Sequence, residues 1–136
     1  MNFESIQEGS QIEYSYQIDR NVYESFLNAF QDTSPIHISD EYAVKQGFPE
    51  KVMHGNILNG FISHFVGVVF PGEKSLLQSV NIQYKNPSFL NDSIKIIATI
   101  SQVVESVRVI IMELELINLT QNKTAATAKV QVGVRE

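Results

Sequence analysis

The stretch NAFQDTSPIH, residues 28–37, sets a carboxylate at Asp32 and an imidazole at His37, with Ser34 and Pro35 between them. A carboxylate beside an imidazole suits the movement of a proton on and off water near neutral pH, where histidine titrates. On one continuous helix, five residues would turn the two side chains about 140° apart, onto different faces. Pro35 breaks such a helix and drives Ser34 towards extended backbone, so a turn can bring both groups to one cavity. The same residues have a plainer use: Asp32 can close an Asx-turn over Thr33 and Ser34, and His37 can line the wall of a core.

A second candidate is His54-Gly55, at the entrance to the most apolar segment of the chain. A glycine at a helix start exposes free backbone N–H groups, aided by the helix dipole, to a developing oxyanion. Gly55 can equally relieve crowding where the helix enters a sheet. Ser63 follows on the same segment among Phe61, Ile62 and Phe65, where it can bond back to the Asn59 carbonyl or hold a carboxylate in place. His54 is expected to shape the helix entrance by bonding to backbone, and His64 to be an interface or core histidine.

The elements that must position these groups can be read in order. IEYSYQID, 12–19, alternates with period two and reads as a strand. Asp19 then caps RNVYESFLNAF, whose Val22, Phe26, Leu27 and Phe30 form one helical stripe. SDEYAVKQG is a short helix capped by Ser39, favoured by Asp40 and Glu41, and closed by Gly47. HGNILNGFISHFVGVVFPG is apolar around most of its circumference, which predicts a long buried helix ended by Pro71-Gly72. Gly60 and Gly67 inside it cost about 1 kcal/mol each relative to alanine, which predicts another backbone packed closely there. SLLQSVNIQYKNP, SIKIIATISQVVES, VRVIIMELELIN and TAATAKVQVGV then give four strands whose short connections predict antiparallel hairpin neighbours.

One hydrophobic helix wrapped by a curved antiparallel sheet is the hot-dog arrangement, an α+β fold. A single layer of this kind leaves sheet edges unpaired. Edge-to-edge pairing of two copies solves that problem, so a homodimer, or a higher oligomer of dimers, is expected by analogy with the fold.

Length and composition bound the remaining possibilities. The 136 residues make one domain, 1–136, large enough for its own core. Cysteine is absent, which excludes disulfides and thiolate zinc sites, and three histidines give no His-rich metal centre, so no metal is expected. The net charge is -5 with scattered cations, a poor surface for nucleic acid. Lys45, Lys51, Lys85 or Arg108 can still meet an anionic substrate locally. MNFESIQEGS lacks a signal-peptide pattern and FISHFVGVVF is too short to span a bilayer, so a soluble cytoplasmic protein with no membrane partner is expected.

DTSPIH, then HGNILNGFIS, then PG, then QSVNIQYKNPSFLNDSI together resemble the MaoC-like, or (R)-specific enoyl-CoA hydratase, group of hot-dog proteins. The resemblance is clear over 26–97, and the C-terminal strands fit by pattern. It implies a lyase of fatty acid metabolism that adds water reversibly to trans-2-enoyl thioesters, giving (R)-3-hydroxyacyl thioesters. It implies Asp32 and His37 as the catalytic dyad, the Gly55 amide as the group that polarises the thioester carbonyl, and Ser63 as a support for Asp32. It implies a CoA or acyl-carrier-protein thioester as substrate and no cofactor. Gln31 and Ser34 stand where the family usually has glycine and asparagine, and Asn56, Asn59 and Gly60 replace Met or Leu, Ala and Ser. Those polar residues point to a short or polar acyl group, or to a divergent function. A dehydratase acting on acyl-carrier-protein thioesters and a non-catalytic acyl-thioester-binding protein are the alternatives. A hot-dog thioesterase fits less well, because the central segment carries no acidic residue.

Overall fold

Alternation decides the sheet. The computed structural model describes residues 2–136, and its strands are β1 (Gln11–Gln17), β2 (Ser75–Tyr84), β3 (Ser93–Val104), β4 (Val109–Asn118) and β5 (Lys123–Val134). In β3, Ile94, Ile96, Ala98 and Ile100 are buried while the residues between them are not. Met112, Leu114 and Leu116 of β4 and Ala126, Ala128, Val130 and Val132 of β5 continue that inner face. Each large aliphatic side chain so buried contributes about 1.5–3 kcal/mol.

The strands form one antiparallel sheet in the order β1-β3-β4-β5-β2. The β3–β4 and β4–β5 hairpins match expectation. The connection between β2 and β3 does not make a hairpin: β2 pairs with β5 and β3 with β1, so 85–92 cross the end of the sheet. A buried polar network holds that crossing. Asp92 Oδ2 accepts from Asn118 Nδ2 at 2.7 Å, Gln121 Nε2 at 2.7 Å and the Phe89 amide at 2.9 Å. A loop that buries backbone needs such partners, and a hairpin turn could not have supplied them.

The helices are α1 (Arg20–Phe30), α2 (Pro35–Ile38), α3 (Asp40–Lys45) and α4 (Asn56–His64), the last continued by a π-helical turn, Phe65–Val69. Asp19 caps α1 through Val22 N, and Ser39 caps α3 through Tyr42 N. The long buried helix of the sequence reading is shorter and one-sided. Ile57, Leu58, Phe61, Ile62, Phe65 and Val66 pack on the sheet, whereas Gly60, Ser63, His64, Gly67 and Val68 are exposed. No backbone packs against Gly60 or Gly67 within the chain, since a Cβ at either would meet nothing within 4 Å. His64 is likewise not a core residue; its Nδ1 lies 2.8 Å from the Tyr16 hydroxyl. No described helix is long and apolar enough to cross a membrane.

Candidate active site

Helix α1 ends before the proline is reached. Gln31 adopts the left-handed conformation (φ 57°) and its amide bonds to Leu27 O, which closes the helix. Residues 32–34 follow as an irregular link, and Pro35, with no N–H to leave unsatisfied, opens α2 at its first position. The proline thus starts the turn that carries His37 instead of ending the helix before Asp32.

Two strands of contact fix His37. Val52 N donates to Ile36 O at 2.9 Å, and His37 Nδ1 meets Val52 O at 2.8 Å. A carbonyl only accepts, so Nδ1 carries the proton and Nε2 of the neutral ring presents a lone pair. Tyr23 of α1, almost fully buried, donates its hydroxyl to His37 O at 2.6 Å, and burial raises the pKa of that phenol.

Asp32 stays on the exposed side of the link. Its Oδ1 accepts from Ser34 Oγ at 2.8 Å and from Ser34 N at 3.3 Å. These two bonds, with smaller contributions from His37 and His54, hold its carboxyl below the usual range, so it is ionised at neutral pH. A carboxylate oxygen of Asp32 and one ring nitrogen each of His37 and His54 lie within 4.8 Å of one another. The turn therefore does bring the acid and the imidazole together, and the Asx contact exists as well.

Gly55 sits at the start of α4 with φ -58° and ψ -35°, and no side chain caps the helix. Its amide and that of Asn56 find no acceptor among the described residues; the first helical bonds run from Ile57 to His54 O and from Leu58 to Gly55 O. The Tyr84 ring lies close over it, so a Cβ at Gly55 would stand 3.2 Å from Tyr84 Cε1. A cavity of about 310 Å³ opens there, lined by Ile18, His37, His54, Gly55, Leu58 and Tyr84 among others. Asp32 is at its edge and not in its lining. A larger hollow of about 460 Å³ on the far face of the sheet is lined by Gln11, Thr99, Glu113, Glu115 and Lys129 and holds no histidine.

Ser63 is not brought to Asp32 within one chain. It is exposed, and its hydroxyl has no partner among the described residues, not even the Asn59 carbonyl. Ser34 does the bracing instead, although in the sequence it stands out only as a replacement for the family's usual asparagine. A hydroxyl two residues after an aspartate was the available signal. Of the four cations singled out, Lys85 lines the cavity, while Lys45, Lys51 and Arg108 pair with Glu41, Asp40 and Glu4.

By residue type, Asp32, His37 and His54 also form a three-ligand cluster. His54, however, spends Nε2 on Asp32 O at 2.9 Å and keeps Nδ1 buried. Two free ligands remain, fewer than the three protein groups that a catalytic zinc site uses. The donor set fits a held water better than a held cation.

The MaoC like domain family model matches residues 2–122. An (R)-specific enoyl-CoA hydratase of Rhodospirillum rubrum is 28% identical over 102 residues, 75% of this chain and 71% of that one. A 3-hydroxybutyryl-CoA dehydratase of Methylorubrum extorquens is 23% identical over 102 residues, 75% of this chain and 65% of that one. Among solved structures, the R-hydratase PhaJ1 of Pseudomonas aeruginosa superposes with a TM-score of 0.89 at 20% identity, covering 98% of this chain and 85% of that one. The (R)-hydratase of A. caviae gives 0.88 at 19% identity, covering 97% and 99%. At such identities the superpositions speak for the hot-dog fold, and the family match speaks for the chemistry. The chain belongs to the MaoC-like dehydratase family of hydro-lyases.

Proposed function

We propose that the protein is an (R)-specific enoyl thioester hydratase, run in reverse as a 3-hydroxyacyl thioester dehydratase, with Asp32 and His37 as its catalytic pair. The observation that carries this reading is the tautomer of His37. Its Nδ1 is tied to Val52 O, so the free nitrogen is turned to act as a base beside an ionised carboxylate. A water held between His37 Nε2 and Asp32 attacks C3 of the enoyl thioester and gives its proton to the imidazole. The carboxylate stabilises the imidazolium, and the pair delivers a proton to C2 from the same side. The thioester oxygen gains charge meanwhile and takes the Gly55 amide as its donor. No cofactor enters this scheme.

CoA is the favoured carrier. Lys85 at the cavity wall meets an anionic carrier, and the relative with the greatest identity reported above is a CoA enzyme. A homodimer fits the surface. Val80 and Tyr84 share the helix-facing side of β2 with Ile82 yet stay exposed, beside the bare stripe of Gly60, Ser63, Gly67 and Val68 on the central helical segment. A second copy would cover both.

The test is hydration of a panel of enoyl-CoA esters of increasing length, followed by loss of the enoyl absorbance, with Asp32→Asn and His37→Ala as controls. Each variant should lose about 10²–10⁴-fold in turnover with the fold intact. Near-normal turnover in either removes the pair. Activity confined to carrier-protein thioesters would favour the dehydratase alternative, and acyl-CoA binding without turnover the non-catalytic one.

A further inference from the structure

His54 is the member of the cluster to which the hydration scheme gives no task. It is 2 % exposed, its Nε2 donates to Asp32 O at 2.9 Å, and its Nδ1 has no hydrogen-bond partner. Its ring centroid lies 4.2 Å from that of His37, with the planes 30° apart, and 4.7 Å from that of Phe26 on α1.

A buried nitrogen without a partner is a standing penalty that a native structure keeps for a reason. Filling space is not that reason. The ring is flanked by Phe26 and Tyr23, and phenylalanine would fill the same slot with no orphaned atom. Histidine adds two things there: a donor at one corner and a flat face turned to a second imidazole.

The donor matters because of where it lands. The link 32–33 is otherwise held only by the bonds of Ser34 within the same segment, so the His54 bond is the one tie from residues 32–33 to the rest of the described chain. The face matters because no side-chain hydrogen bond joins Asp32 to His37 directly. Ser34 also meets both, bonding Asp32 and accepting from His37 N at 2.9 Å, but it lies inside the same segment; His54 reaches both from outside that segment, one through its main chain, the other through its ring.

We propose that His54 is a positioning residue that sets the spacing of Asp32 and His37, holding the backbone of the first and the ring of the second. This rests on the hydratase reading. One activity-dependent measurement, of kcat and KM, and two activity-independent ones, of thermal unfolding and amide exchange, separate the two claims. His54→Phe keeps the ring and removes the donor. His54→Gln puts an amide N–H near the position of Nε2, whereas His54→Asn places it near Nδ1, short of Asp32.

On an enoyl-CoA ester, kcat should fall about 10–100-fold in His54→Phe and His54→Asn, with KM little changed, as when an outer support of a reacting group is lost. His54→Gln should recover most of kcat. Thermal unfolding of His54→Phe should match or exceed the native chain, because the orphaned nitrogen is gone. Exchange of the Ser34 amide, which bonds Asp32 Oδ1, should quicken in the Phe and Asn variants and not in Gln. Equal kcat in all three variants, or losses that follow the unfolding temperature with Gln no better than Asn, would overturn the proposal. A native chain inert towards every enoyl thioester would instead overturn the hydratase reading, and the exchange rates would still decide the role of His54.

Discussion

Replacing Gly55 by alanine separates the cost of a methyl group to the fold from its cost to the chemistry. The backbone at Gly55, φ -58° and ψ -35°, is one that alanine adopts without strain. Its new Cβ would stand 3.2 Å from Tyr84 Cε1 and 3.4 Å from Cδ1 and Cζ. The ring must retreat by a few tenths of an ångström. It is 49% exposed, and its hydroxyl is held only by long contacts of 3.3 Å and 3.4 Å to Asn59 and Asn56. Retreat is therefore cheap, and reduced freedom of the unfolded chain returns about 0.4–1 kcal/mol. Stability should change by less than about 1 kcal/mol, read as the midpoint of urea unfolding. Catalysis has no such slack. The methyl group would stand beside the amide assigned to the thioester oxygen, and losing one such donor costs about 2.7–4 kcal/mol, or roughly 10²–10³ in kcat. Stopped absorbance assays on a short enoyl-CoA would read it, and the Gly55→Ala, Tyr84→Ala double variant would show whether ring displacement is the cause. Near-native kcat in Gly55→Ala would refute the placement of the thioester carbonyl at this helix start.

Other outcomes follow from the same geometry. Ser34→Ala removes the 2.8 Å hydroxyl bond to Asp32 and leaves the 3.3 Å bond from the backbone, so the Asp32 carboxyl should titrate at higher pH, visible in its ¹³C shift. Because the folded value lies below the unfolded one, the stability Asp32 confers is present above the unfolded pKa and lost as pH falls through the folded one. The unfolding difference between native chain and Ser34→Ala should accordingly be full at neutral pH and vanish in strong acid. Asp92→Ala leaves the Asn118, Gln121 and Phe89 donors without their shared acceptor and should cost about 1–3 kcal/mol in denaturant unfolding. Its effect should reach the site, because Ser88 O in the same crossing accepts from Met53 N, just before His54; an unchanged unfolding midpoint would contradict the network.

The strands, both caps and the Asp32/His37 juxtaposition were legible because each rests on local rules: period two, a side-chain oxygen before a helix, a proline that forbids one continuous helix through both residues. What was not legible depends on partners distant in sequence. The crossing at 85–92 looks like a hairpin loop until Asn118 and Gln121 are known to reach Asp92. The one-sidedness of α4 and the turn after it was hidden because Ile57, Leu58, Phe61, Ile62, Phe65 and Val66 account for the buried face, while Gly60, Gly67 and Val68 are apolar yet lie outside it. Ser63 was matched by position along the helix, and position does not say which way a hydroxyl points. His54 could be read as a backbone-bonding residue, but not that the backbone would be that of Asp32.

The crossing also orders assembly in time. Hairpins β3–β4 and β4–β5 join neighbours in sequence, whereas β1 must find β3 across a gap such as the 88 residues between Gln11 and Thr99. Loop-closure entropy makes such distant pairings slow to form. Every wall of the cavity comes from segments lying between those late partners: Ile18 and residues within 37–58 on one side, 84–88 on the other. A nascent chain can thus hold a nearly complete sheet while lacking any pocket, and refolding followed by amide protection should recover β4 before activity returns.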